Sequence, residues 1–171
     1  MPINDKLKKC LDEGKRKGER HKGLQKVLPH EKRVQEHLSK ANHIFGGITT
    51  FREMRYGDFS ASAAFYALYH GLLALLAQRG YESRNQSCTF ALVEEWIKNN
   101  EINFLTITDI KEIFDRDVTE NLEQSSKIVD VRERMQYGTK TDLSDVEFEL
   151  LKKRTKELFD KIKQEVEKNL K

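Results

Sequence analysis

Two short stretches of this 171-residue chain hold the side chains able to do chemistry. The first is Phe65-Tyr66-x-x-Tyr69-His70. Tyr66 and His70 are four apart, so in a helix they stack on one face. The second is Arg132-Glu133-Arg134-Met135-Gln136-Tyr137-Gly138, where a glycine stops a helix. An inward arginine is costly without a partner. Phosphate is one natural partner, because a guanidinium binds it in a bidentate way. Arg132, Tyr137 and His70 are therefore the candidate site residues. Each stretch also has a plainer reading. One is a buried aromatic cluster with a hydrogen-bonded histidine. The other is an arginine that caps carbonyls or pairs with an acid.

Other catalytic signatures are absent. There is no glycine-rich phosphate loop, no HExxH and no GxSxG. His37 and His43 are six apart, which does not place them on one helical face. His21, His30, His37 and His43 read as surface residues. No metal site and no cofactor are expected. Cys10 and Cys88 lie far apart and form no CxxC pair, which argues against a disulfide framework and fits a reducing cytoplasm. Asn85-Gln86-Ser87 matches a glycosylation sequon, read here as chance.

The elements that must position these residues are helical. Phe65–Gly80 is apolar almost all round in a chain that is otherwise 35% charged. Such a helix belongs in the middle of a bundle, with every other element wrapped around it. Its apolar run, about 15 residues, is too short to span a bilayer, so no membrane is expected. A first long helix runs from about Glu31 to Arg55, with Val34, Leu38, Ala41, Phe45 and Ile48 recurring at steps of three and four. Gly46-Gly47 in its middle implies a bend or a close neighbour. Another helix runs from about Ser87 to Lys98, with Trp96 inward. Thr108 is the expected cap of a long helix reaching Gln136. On it Val118, Leu122, Ser125, Val129, Arg132 and Gln136 form one stripe. Ser144-x-x-Glu147 is a capping box for the last helix, with Leu143 and Phe148 as its hydrophobic staple. The fold class is all-α: a four- to five-helix up-and-down antiparallel bundle.

Net charge is +3, but its distribution is uneven. Residues 1–30 hold nine Lys/Arg against four Asp/Glu. With Gly14, Gly18 and Gly23 they read as a basic, flexible appendage preceding a helical domain over 31–171. Such an arm can bind phosphate backbone or remain a solvated tail.

Phe65-Tyr66-Ala67-Leu68-Tyr69-His70, then Leu72-Leu73 up to Gly80, resembles the second helix of the HEPN superfamily, and most of all its UPF0332-like prokaryotic branch. Arg132-x-x-x-x-Tyr137-Gly138 is similar to the close of that branch's fourth helix. The resemblance covers about residues 31–168. It implies a helical bundle that forms a symmetric homodimer. It also implies RNA or nucleotide as ligand and, in many members, a ribonuclease toxin paired with a small nucleotidyltransferase. The family's active motif is an arginine followed after four to six residues by a histidine. Arg132 matches the arginine; Tyr137 stands in the nearest histidine position. A phenol titrating near 10 is a poor general base at neutral pH. The resemblance therefore implies an RNA- or nucleotide-binding module. The alternatives are an active ribonuclease using Arg132 with Tyr137 or His70, and a non-catalytic dimeric helical adaptor.

Overall fold

The computed structural model describes residues 2–16, 20–115, 117 and 119–168. Gly18 and Val118, named above, lie outside them. The fold is predominantly all-α, with one two-stranded sheet among the described residues.

The central helix is α3, Asp58–Gln78, and thirteen of its side chains are buried. It is rich in Ala and Leu, strong helix formers with no polar atoms to satisfy. By length and apolarity it is long enough to cross a membrane, but most of that stretch is buried inside the fold. Three helices cover it. α2, Glu31–Glu53, precedes it across a short turn and runs along it. α6, Ile128–Tyr137, and α7, Asp145–Lys168, pack on its other sides. On α7 one face is buried: Phe148, Leu151, Thr155, Leu158, Ile162 and Val166 all lie in the core. Its capping box is also present, with the Ser144 hydroxyl accepting from the Glu147 amide and the Glu147 carboxylate accepting from the Ser144 amide. α4, Gln86–Lys98, is capped by Asn85, whose side chain accepts from the Cys88 amide.

The two glycines in α2 differ from expectation. Gly46 is exposed and faces open space. A Cβ at Gly47 would make ordinary contact with Phe51. No close neighbour requires either glycine.

Residues 1–30 correct the expectation of a flexible appendage. α1, Ile3–Lys15, buries Leu7, Cys10 and Gly14. β1, Leu24–Lys26, pairs antiparallel with β2, Tyr81–Ser83, the strand that follows α3. Gly14 and Gly23, read as part of a flexible segment, are contact points. A Cβ on Gly14 would sit 1.8 Å from the Leu24 carbonyl oxygen, and one on Gly23 would sit 2.1 Å from that of Cys10. Cys10 and Cys88 are joined in a disulfide between α1 and α4, contrary to the reading of two free thiols. They are 78 residues apart in sequence and 5.8 Å apart at Cα, and only the second distance governs bonding. The cysteines thus no longer argue for a reducing compartment.

The long helix expected over 108–136 is broken. α5, Ile107–Ile113, is capped by Thr106 in a capping box with Asp109, two residues before the expected Thr108. Phe114 is extended. Beyond it, the Asp115 side chain accepts from the Asp117 amide, and the Asp130 carboxylate accepts from the Thr119 and Ser125 hydroxyls. These short polar side chains offer the backbone an alternative to helix. One 3₁₀ turn, Leu122–Gln124, precedes α6. The break shifts the register, so Ile128, Val131 and Met135 form the buried face of α6 while Gln136 is exposed.

The disulfide closes a loop of 78 residues. Loop-closure entropy for that length is worth up to about 4.5 kcal/mol. Cys10→Ser with Cys88→Ser should lower unfolding free energy by up to that amount in urea titration. Reduction of the native protein should give the same loss.

Candidate functional site

Arg132 follows the buried face of α6 by one residue, which turns it toward the exposed edge of the α3–α6 contact. Its guanidinium carbon stands 4.1 Å from the Phe65 ring centroid and 5.6 Å from that of Tyr66. Phe65 is fully buried and stacks on Tyr69, with ring centroids 6.0 Å apart. Tyr66 meets Phe65 edge-on and is 40% exposed, so one face of this aromatic platform is open to solvent. The arginine is drawn to the ring faces by their quadrupoles.

Among the described residues no carboxylate neutralises the charge. Five described arginines are partly buried: Arg52, Arg79, Arg132, Arg134 and Arg154. Four of them pair with carboxylates. Arg52 bonds Asp142 and Asp145, Arg79 bonds Glu101, Arg134 bonds Glu147, and Arg154 bonds Glu112 and Glu157. Among the described residues Arg132 has no ion pair, and its Nε is buried without a hydrogen-bond partner. Leaving such a donor unmade costs about 1–3 kcal/mol, so an anion arriving here meets a group already stripped of water.

The capping role expected as the plain reading of this stretch belongs to Arg134. Its Nη1 donates to the Leu122 and Ser125 carbonyls, and Nη2 donates to Glu147 at 3.0 Å. It ties the irregular segment before α6 to the start of α7. Two arginines two positions apart, on either side of Glu133, thus divide structural and open roles.

The other candidates lie apart. Tyr137 is the last residue of α6 and is 78% exposed. His70 is half-buried on α3, and its Nδ1 lies 3.2 Å from Nδ1 of His37 on α2. No hydrogen bond or ring contact among the described residues joins Arg132, Tyr137 and His70 to one another. His37 and His21, read as surface residues, are corrected: His37 is half-buried and His21 is buried. A signal for His37 existed, since Arg33, His37 and Lys40 follow helical spacing. Nothing in the sequence pairs that face with His70. Among the described residues no group of three or more His, Cys, Asp or Glu is placed to hold a metal ion.

The histidine pair borders a cavity of about 430 Å³ between α2, α3 and β2. Burial, then the His70 ring and Arg33, push His37 down to about 4. Burial, with Lys40 adding, lowers His70. Burial alone would raise the Glu82 carboxyl on the same cavity, but bonds from Arg33 and Arg84 outweigh it and hold it low. Compared with known proteins, the chain matches no protein-family model and no curated sequence.

A folded value near 4 against an unfolded value of about 6.5 makes the proton count differ between states. Between those values the unfolded chain holds the proton and folded His37 does not. The stability contribution is complete above about pH 6.5 and is lost as pH falls through the window toward about 4. Chemical denaturation across this range should show stability dropping, and His37→Gln should flatten the slope. Imidazole proton shifts of His37 that moved near pH 6.5 in the folded protein would contradict the buried pair.

Proposed function

We propose that this chain is a HEPN-like RNA- or nucleotide-binding helical module that works as a symmetric dimer, with Arg132 as its phosphate contact. The observation that carries the reading is Arg132 itself. It is desolvated on one side, held against Phe65 and Tyr66, and lacks a carboxylate among the described residues. The neighbouring exposed ring of Tyr66 offers a stacking face for a base. Tyr137 at the helix end and the separation of His70 support binding with slow cleavage or none. The resemblance of residues 31–168 supports a small nucleotidyltransferase as partner.

Self-association is supported by a patch of exposed rings at the α2–α3 turn. Phe51, Tyr56 and Phe59 are 37%, 55% and 52% exposed, with Phe51 and Phe59 5.7 Å apart between centroids. A contiguous apolar patch of this kind marks a contact surface. Phe59→Ser should shift a dimer toward monomer in sedimentation velocity. A native protein that sediments as a monomer at every concentration would remove the dimer from the reading.

The binding test is fluorescence anisotropy of a labelled single-stranded RNA, and of a labelled nucleotide, with wild type and Arg132→Ala. Removing one charged bidentate interaction should weaken binding by about tenfold or more. The slope of log affinity against log salt should become shallower by about 0.7 for each single-strand phosphate that the arginine neutralises. A thermal melt should show the fold retained, since only a surface-side cation–π interaction is removed. Equal binding by both proteins would leave Arg132 a packing residue and end this reading.

A further inference from the structure

The histidine-bordered cavity shares no lining residue with the Arg132 platform. α2 contributes Arg33, His37 and Lys40, α3 contributes His70, and the β2 region contributes Tyr81 and Arg84. Its carboxylates are Glu36 and Glu82. Glu82 is committed: it accepts from Arg33 Nη1 at 2.6 Å and Arg84 Nε at 3.3 Å, with buried His21 Nε2 3.7 Å away. Glu36 is exposed and pairs with Lys32 along α2. Lys40 has no ion pair among the described residues. Three fixed cations therefore face two engaged carboxylates, and a positive field remains where the two imidazoles meet. Arg33 acts on His37 and Lys40 acts on His70 to disfavour protonation, while Glu36 and Glu82 act on His37 in the opposite sense and are outweighed. No acidic side chain of α3 lines the cavity.

We propose that this cavity binds a small phosphomonoester, held by Lys40, Arg84 and the His37–His70 pair. Its volume falls in the range of small-ligand sites. The Tyr81 ring on the same wall gives a flat apolar group, such as a nucleobase, a surface to lie on. A metal cation is the poorer fit, because it would enter against the positive field and, among the described residues, no group of three His, Cys, Asp or Glu is placed to hold it.

The pair has a specific part in binding. At 3.2 Å, one Nδ1 donates to the other while both rings are neutral. One added proton turns this into a charge-assisted imidazolium–imidazole bond. A second added proton would place like charges in contact. A phosphate dianion supplies the countercharge for the first proton. Binding takes up one proton, and affinity rises as pH falls.

The test is isothermal titration calorimetry on the full chain with inorganic phosphate, AMP and adenosine, at constant ionic strength. It is run at about pH 6 and about pH 7.5, in buffers of different ionisation enthalpy. At about pH 7.5, where the ligand is largely a dianion, phosphate and AMP should bind with net uptake of a proton. At about pH 6 the ligand's own second ionisation, at about 6 for a phosphomonoester, already supplies part of that proton. Uptake from buffer is then smaller, and AMP affinity rises by about tenfold at most. Adenosine should bind at least about tenfold more weakly than AMP. AMP binding tighter than phosphate would assign the site to a nucleotide; equal binding would assign it to the phosphate group alone. His37→Gln with His70→Gln should abolish proton uptake, and Lys40→Ala should weaken binding at both pH values. Arg132→Ala should leave all of this unchanged, which separates this site from the platform on α6. No binding of phosphate or AMP by wild type would overturn the proposal. Binding without proton uptake at about pH 7.5, or undiminished binding by Lys40→Ala, would do the same. A response to zinc alone would reassign the pair as metal ligands and end it too.

Discussion

Burial of α3 on every side is the constraint on which the rest of the structure depends. Phe65, Leu68, Leu72, Leu75 and Leu76 are fully buried, and no single neighbour covers them all. Each such side chain contributes about 1.5–3 kcal/mol when removed from water. α2, α6 and α7 must therefore all be present and all approach closely. Gly71 shows how tight that approach is: a Cβ there would meet Ile162 at 3.1 Å and Phe159 at 3.3 Å. The surrounding helices can be highly charged outside because each needs only one apolar stripe.

The same enclosure creates the chemistry. A helix that is apolar all round still carries Tyr66 and His70, and packing decides what they meet. α6 brings a guanidinium onto the Phe65–Tyr66 rings, while α2 brings an imidazole against His70. Both are polar groups held by their position in the fold, one as a cation with no carboxylate partner among the described residues and the other as a pair whose burial disfavours protonation. The two sites sit on different flanks of α3 because α2 and α6 cover different flanks.

The N-terminal segment closes the structure. α1 is bonded to α4 through Cys10 and Cys88, and β1 is zipped to β2. Lys8, Lys9, Lys15, Lys22 and Lys26 remain exposed, so the basic excess of this segment is displayed on a folded ledge rather than on a tail.

The sequence by itself determined α2, α3, α4 and α7 and the place of the central one. Amphipathic period, the Ser144–Glu147 box and the all-round apolarity of 65–80 are local signals, and the elements they mark are present. It also singled out Arg132 and His70 as side chains worth following. What it did not contain was distance in space. The break before α6 came from Asp115, Ser125 and Asp130 making local bonds that outcompete helical ones, and it changed which residues face inward. The Cys10–Cys88 bond, the strand pairing of 24–26 with 81–83 and the His37–His70 contact join residues far apart in the chain. Only the packing of α1 on α4 and of α2 on α3 brings these groups together, and periodicity along one helix carries no record of which face a distant element will meet.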